Sequence, residues 1–208
     1  MHVSRTHRFV YIGIPRTGSK SMYQWLLENF QTESVGGHHE WQAPDEFQDY
    51  FVFTVVRNPY ERATSGRFFE PVIKYPHDPP RPKSFAESMQ RVIPKRSEAC
   101  PAMNQKHFVE RSGTSLVPYF ERLPQCLAEL PFVDKENIPP FPHNNAGGYL
   151  PAEGDFFHHF TMEDEKLVWE YATEDLEAFG YRRFDCGLPD VSNNCIHLTP
   201  KAGGLGGK

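Results

Sequence analysis

No C-x-x-C pair occurs in this chain, and its four cysteines, Cys100, Cys126, Cys186 and Cys195, lie scattered. That scatter argues against a metal site and reads as free thiols in a reducing, cytoplasmic setting. The first residues lack the basic-then-apolar plan of a signal peptide. No apolar run approaches the roughly 18 residues that cross a bilayer, so a soluble protein without stable membrane insertion is expected. Excess positive charge is missing as well. The formal net charge is -5, which argues against nucleic acid as a partner, because counterion-release affinity needs clustered Lys and Arg. Any basic site is therefore local, and no internal repeat is visible.

Apolar residues are plentiful: 38% of the 208 residues are hydrophobic and 14% aromatic, enough for one sizeable core. A single domain over residues 1–185 is expected, followed by a tail, 186–208, that has little to pack and is partly disordered. Ten of the nineteen prolines cluster at 71–82 and 131–151, where they mark ordered loops rather than elements. The long segment 131–155 belongs to the length class that is usually functional or mobile.

After a polar lead-in, His2 to Arg8, the run Phe9–Ile14 has the length and flanks of a buried parallel strand. Met22, Trp25, Leu26 and Phe30 then recur at helical spacing. A second apolar, β-branched run, Phe51–Val56, predicts another buried strand that ends at Arg57. Asn58-Pro59 reads as a helix start, with Asn as N-cap and Pro in the first turn. Ser84–Glu87 predicts a capped helix to about Val92, and a short helix is expected near Asn104–Glu110. Thr114–Phe120 reads as a third strand, with Pro118 at an edge or strand end, and Leu123–Leu130 as a helix. Thr161-Met162-Glu163-Asp164 is a capping box ahead of the stripe Leu167, Val168, Tyr171, Leu176 and Phe179, with Gly180 at C′.

The chemistry concentrates between the first strand and its helix. Pro15-Arg16-Thr17-Gly18-Ser19-Lys20-Ser21 is a small, hydroxyl-rich, basic loop entering a helix N-terminus, a cup suited to phosphate or sulfate. It misses the G-x-x-x-x-G-K-[ST] pattern of a Walker A loop by one residue, Ser19. The second strand ends in Arg57 rather than in the Asp that holds Mg²⁺ in P-loop NTPases. Arg57, and Ser65 about two helical turns further on, supply a second positive anchor at the carboxyl edge of the sheet.

Those two segments carry a resemblance. The loop 15–21 is similar to the P-K-T-G-x-T-S loop that holds the 5′-phosphosulfate of PAPS (3′-phosphoadenosine 5′-phosphosulfate) in sulfotransferases. Val56-Arg57-Asn58-Pro59-Tyr60-Glu61-Arg62-Ala63-Thr64-Ser65 resembles the R-N-P-x-x-R-x-x-S segment that grips the 3′-phosphate. Ser84–Glu87, Tyr119–Glu121, Pro142–Asn145 and Tyr171–Tyr181 resemble later parts of the carbohydrate-type (family 2) branch, so the likeness spans roughly residues 9–184. It implies an α/β, P-loop-like three-layer domain with a short central parallel sheet flanked by helices. It also implies transfer of the sulfuryl group of PAPS to a hydroxyl acceptor, a carbohydrate in this branch, with no metal.

Carried onto this chain, the resemblance assigns Arg16, Thr17, Gly18, Ser19, Lys20 and Ser21 to the 5′ end and Arg57 and Ser65 to the 3′-phosphate. Arg16 departs from the family lysine that assists the leaving group. Arginine keeps its proton, so it stabilises charge without serving as an acid, and Lys20 is the second residue for that role. Gly37-His38 matches a Gly-His pair of uronyl-type relatives. His38 is the first choice for the general base, with His39 and Glu40 as alternatives and a surface or core-lining histidine as the competing reading. Two other functions stay open: a P-loop nucleotide kinase and a non-catalytic nucleotide-binding protein.

Other features read as structural. His158 and His159, adjacent in Phe156–Phe160, would face opposite ways in a strand. Arg81, Lys83, Lys95 and Arg96 read as a solvated face, and Glu163–Glu165 complement a helix dipole. Loops 71–83, 95–113 and 131–155 are expected to shape the acceptor pocket.

Overall fold

The computed structural model describes residues 1–36, 42–68, 104–142, 161–183, 189 and 192–198, the side chains of 64–68 excepted. The predicted helix over 84–92, Pro142–Asn145 beyond its first residue, and the pair His158 and His159 lie outside the described residues.

The chain opens on strand β1 (His2–Ser4) and continues with β2 (Phe9–Tyr11), helix α1 (Ser19–Phe30) and β3 (Glu33–Ser34). Next come β4 (Phe51–Phe53), α2 (Pro59–Phe68), α3 (Gln105–Ser112), β5 (Leu116–Pro118), α4 (Met162–Phe179) and β6 (Cys195–His197). The six strands form one mixed sheet in the order β3-β1-β2-β4-β5-β6. Its centre, β2-β4-β5, is parallel, with Tyr11 opposite Phe53 and Phe53 opposite Leu116. Antiparallel strands close both sides, β1 and β3 on one and β6 on the other. The expected parallel sheet is therefore the core of a larger mixed one.

Side chains alternate across this sheet as a period of two requires. Phe9, Tyr11, Phe53, Val55 and Leu116 face α1, where Met22, Trp25, Leu26 and Phe30 meet them. Phe9 stacks on Phe132 at 3.9 Å between centroids and lies edge-on to Phe30 and Phe53. On the opposite face Val56 and Val117 pack against Tyr60, Phe108, Val168, Tyr171 and Leu176 of the helices. Val10, Ile12 and Val52 cover a smaller cluster with Phe47 and Met1. Helices thus flank the sheet on both faces. Among the described residues no helix is long and apolar enough to cross a membrane.

Three segments differ from the sequence reading. His2–Ser4 is a strand rather than a lead-in; Val3 is its single apolar side chain, and the pairing comes from the open edge of β2. Over 123–130 the backbone forms a 3₁₀ turn at Gln125–Glu129 instead of an α-helix, preceded by another at Phe120–Arg122. Pro124 offers no N–H, and Leu123 and Leu130 are extended. Cys195–His197, inside the segment read as a tail, adds β6 to the sheet and buries Cys195 against the α1 face. Pro118 ends β5, in an internal strand of the sheet.

Helix α4 follows its sequence signals closely. The Thr161 hydroxyl accepts from Asp164 N–H at 3.1 Å, and Asp164 accepts from Thr161 N–H at 2.9 Å. Gly180 takes a left-handed φ of 69° and ends the helix. Thr161→Ala is expected to cost about 1 kcal/mol, measured as a lower urea midpoint at an unchanged m-value.

Candidate functional site

The three parallel strands deliver their carboxyl ends to one edge of the sheet. Loop 13–18 leaves β2 there, Arg57 follows β4, and Phe120 and Glu121 follow β5. Backbone pairing continues past the strands proper: Ile12 N–H donates to Phe53 O at 3.1 Å, Val56 N–H to Pro118 O at 3.1 Å and Phe120 N–H to Val56 O at 2.8 Å. This extended register brings segments far apart in sequence to within contact. Ligands of open α/β sheets collect at this edge.

The loop is bent by two left-handed residues, Arg16 at φ 69° and Gly18 at φ 77°. Gly18 is the N-cap of α1 and, as a glycine, makes no side-chain cap bond of its own. Its missing Cβ also has a steric reason, since a methyl there would fall 2.6 Å from the Phe120 ring. Pro15, Arg16 and Lys20 are exposed, Gly18 and Ser19 half-buried, and Thr17 and Ser21 buried. Thr17 turns inward, and its hydroxyl donates to Ile14 O at 2.9 Å.

Arg57 is buried, 7% exposed, and fixed at both backbone and side chain. Its N–H donates to Gln105 Oε1 and its carbonyl accepts from Gln105 Nε2, each at 2.8 Å. Its guanidinium lies 4.2 Å from the centre of the Phe120 ring. Nε and Nη2 donate to Glu61 Oε2 at 3.1 and 3.0 Å, and Nη1 reaches Arg16 O at 3.5 Å. Phe120 therefore forms a common wall for Gly18 and Arg57, and the two segments singled out in the sequence meet, although they lie 41 residues apart.

A second buried guanidinium, Arg62, donates from Nε to Pro15 O at 2.9 Å. Burial pushes its pKa down, Asp175 opposes that shift, and the charges of Arg16 and Arg57 add to it. Asp175, 1% exposed, accepts the N–H groups of Gln105 and Lys106 at 2.9 and 2.8 Å, which cap α3. Burial raises the Asp175 pKa, and Arg62 with these N–H donors acts against the rise. An ordered series runs from Asp175 on α4 through Gln105 on α3 to Arg57 and the loop.

Glu121 joins the N-terminus of α2 to the end of α4. It accepts Asn58 N–H at 2.5 Å and the Tyr181 hydroxyl at 2.8 Å. Burial lifts its pKa to about 7, against the pull of the Asn58 N–H.

Ser65 lies on α2, and its side chain is outside the described residues, as are His38, His39 and Glu40 entirely. The structure thus joins Arg16, Thr17, Gly18 and Arg57, with Ser19, Lys20 and Ser21 continuing into the first turn of α1. It adds Phe120, Gln105, Arg62 and Asp175, to which the sequence reading assigned no site role, although Arg62 fills the second arginine of the R-N-P-x-x-R-x-x-S pattern. For Asp175 a signal existed: it falls four residues after Tyr171 and four before Phe179, on the apolar stripe of α4. For Gln105, at the start of the short helix expected near Asn104–Glu110, there was none. Among the described residues no cluster of three His, Cys, Asp or Glu is arranged to hold a metal ion. No protein-family model, curated protein or solved structure matches this chain.

Two measurements follow from the packing at Phe120 and Glu121. Gly18→Ala combines a strained φ with overpacking and is expected to cost more than about 1 kcal/mol. The Gly18→Ala, Phe120→Ala double variant should then lose less than the sum of the singles in urea melts. For Glu121, the folded pKa of about 7 lies above the unfolded value of roughly 4.3. Its contribution is complete below the unfolded pKa and is lost as pH rises through 7. The Tm of the wild type should fall across that window, and Glu121→Gln should flatten the decline.

Proposed function

We propose that this chain is a PAPS-dependent sulfotransferase that acts on a hydroxyl acceptor, a carbohydrate first among the candidates. One observation carries the reading: the loop resembling a 5′-phosphosulfate cup and the arginine resembling a 3′-phosphate clamp lie on neighbouring parallel strands, with Arg57 Nη1 3.5 Å from Arg16 O. A guanidinium suits a phosphate, and a helix N-terminus that opens at a glycine suits a second anion. The glycine at position 18, which a Cβ would fill against Phe120, keeps the loop close to Arg57.

In this reading the backbone N–H groups at 17–21, with the hydroxyls of Ser19 and Ser21, hold the 5′ end. Thr17 contributes its N–H, because its hydroxyl is bonded to Ile14 O. Arg57 and Ser65 hold the 3′-phosphate. When bound, PAPS supplies a sulfuryl group whose bond to the bridging phosphate oxygen breaks as a bond to the acceptor oxygen forms. His38 accepts the acceptor's hydroxyl proton, with His39 and Glu40 as the alternatives. The exposed Arg16 and Lys20 stabilise the electron pair left on the leaving oxygen, by charge in the case of Arg16.

Calorimetry with PAP, the desulfated product, and with ATP–Mg²⁺ tests the binding half. Tight PAP binding without metal is expected, and preference for ATP–Mg²⁺ would turn the assignment to a nucleotide kinase. For catalysis, Arg16→Ala or Lys20→Ala should lower kcat by about 10²-fold or more while PAP stays bound. Two variants with unchanged kcat would remove both residues from the chemical step. Sulfate transfer from PAPS across a panel of glycans separates the enzyme from a non-catalytic nucleotide-binding protein, for which no turnover occurs.

A further inference from the structure

Arg57 already holds an anion, and the anion belongs to the chain. An arginine grips phosphate through paired N–H donors. Here Nε and Nη2, one such pair, both point at the single oxygen Oε2 of Glu61. The two side chains are 9% and 16% exposed, so water screens the pair weakly. Nη1 leans on the Arg16 carbonyl, and Phe120 lies against the guanidinium at 4.2 Å. A phosphate that takes the Nε–Nη2 edge must move Glu61.

We propose that Glu61 is a built-in competitor for the phosphate at Arg57, seated on the guanidinium when the site is empty and displaced by the 3′-phosphate of the nucleotide. The inference rests on the sulfotransferase reading for the identity of the nucleotide. Its consequence is that only the fraction of molecules with Glu61 off Arg57 is ready to bind, which weakens the apparent affinity by that fraction. After transfer the same carboxylate helps expel the product by reclaiming its partner.

The surroundings of Glu61 favour exchange over a permanent pair. Burial raises its pKa, and Arg57 works against that rise. Among the described residues, Glu121, whose charge repels it, and the buried hydroxyl of Tyr181 act on the same spot. Glu61 therefore loses its charge more readily than an ordinary surface glutamate, and as pH falls it releases Arg57.

The test is titration of the full chain with PAP and with adenosine 5′-phosphate, which lacks the 3′ group, for the wild type, Glu61→Gln and Glu61→Asp. Glu61→Gln should bind PAP about tenfold more tightly than the wild type at pH 7.5, with a smaller gap at pH 5.5 and no change for adenosine 5′-phosphate. Glu61→Asp, one methylene shorter, should gain a smaller factor and serves if the glutamine variant fails to fold. Equal or weaker PAP binding by folded variants would overturn the inference and make Glu61 a fixed buttress of Arg57. If the wild type binds PAP no better than adenosine 5′-phosphate, the two-phosphate reading fails. Inorganic phosphate then decides the inference alone: tighter binding by Glu61→Gln upholds competition at Arg57, and equal binding ends it.

Discussion

Two buried guanidinium groups organise this molecule. Placing a charged side chain in the interior costs several kcal/mol unless partners surround it, and Arg57 and Arg62 are only 7% and 6% exposed. Their partners come from different parts of the chain: Pro15 and Arg16 carbonyls from the loop after β2, Glu61 from α2, the Phe120 ring from beyond β5, and the opposing charge of Asp175 from α4. Satisfying two charges thus obliges four segments to converge on one edge of the sheet. The hydrophobic faces supply the bulk of the stabilisation, whereas these polar contacts specify which loops meet.

That convergence gives a chain of net charge -5 a cluster of three neighbouring guanidinium groups. Arg16, Arg57 and Arg62 are close enough that the first two depress the pKa of the third. Glu61 and Asp175 balance the group from within, and Gln105 holds the Arg57 backbone through both its N–H and its carbonyl. Under the proposed function, the positive field is prepared before the nucleotide arrives, and the protein carries its own counter-charges until then.

Much of this was legible from residue order, for physical reasons that differ by segment. Helix α4 is marked by a capping box, an apolar stripe and a terminal glycine, all local signals, and it forms as those signals require. The strands at Phe9 and Phe51 show as apolar runs because both faces of the central sheet are covered. Arg57, Asn58 and Pro59 mark a strand-to-helix junction, and Asn58 Oδ1 indeed accepts Tyr60 N–H at 2.9 Å. What escaped depends on long-range pairing. Strand β1 has one apolar residue, Val3, and β6 is a run of only three residues, Cys195–His197; both form where β2 and β5 offer open edges. Gln105 has no motif, since its role is defined by a backbone 48 residues away. Glu61 sits in the very segment that points to phosphate binding, yet its pairing with Arg57 follows only from the i,i+4 geometry of a helix start.

The late position of β6 has a bearing on how the protein is made. Strand β5 ends at Pro118 and its outer neighbour begins at Cys195, so during synthesis from the N-terminus a hydrophobic strand waits unpaired while the intervening chain is produced. Contacts of such sequence separation slow folding and leave an edge open to association with other chains. Pro118 faces away from that edge: its carbonyl accepts Val56 N–H from the β4 side, whereas Tyr119 N–H points outward and donates to Asn194 O at 3.3 Å once β6 is in place. The outer edge of β5 therefore keeps its backbone donors exposed until β6 arrives, and the missing N–H of an internal proline falls on the side that β4 already covers.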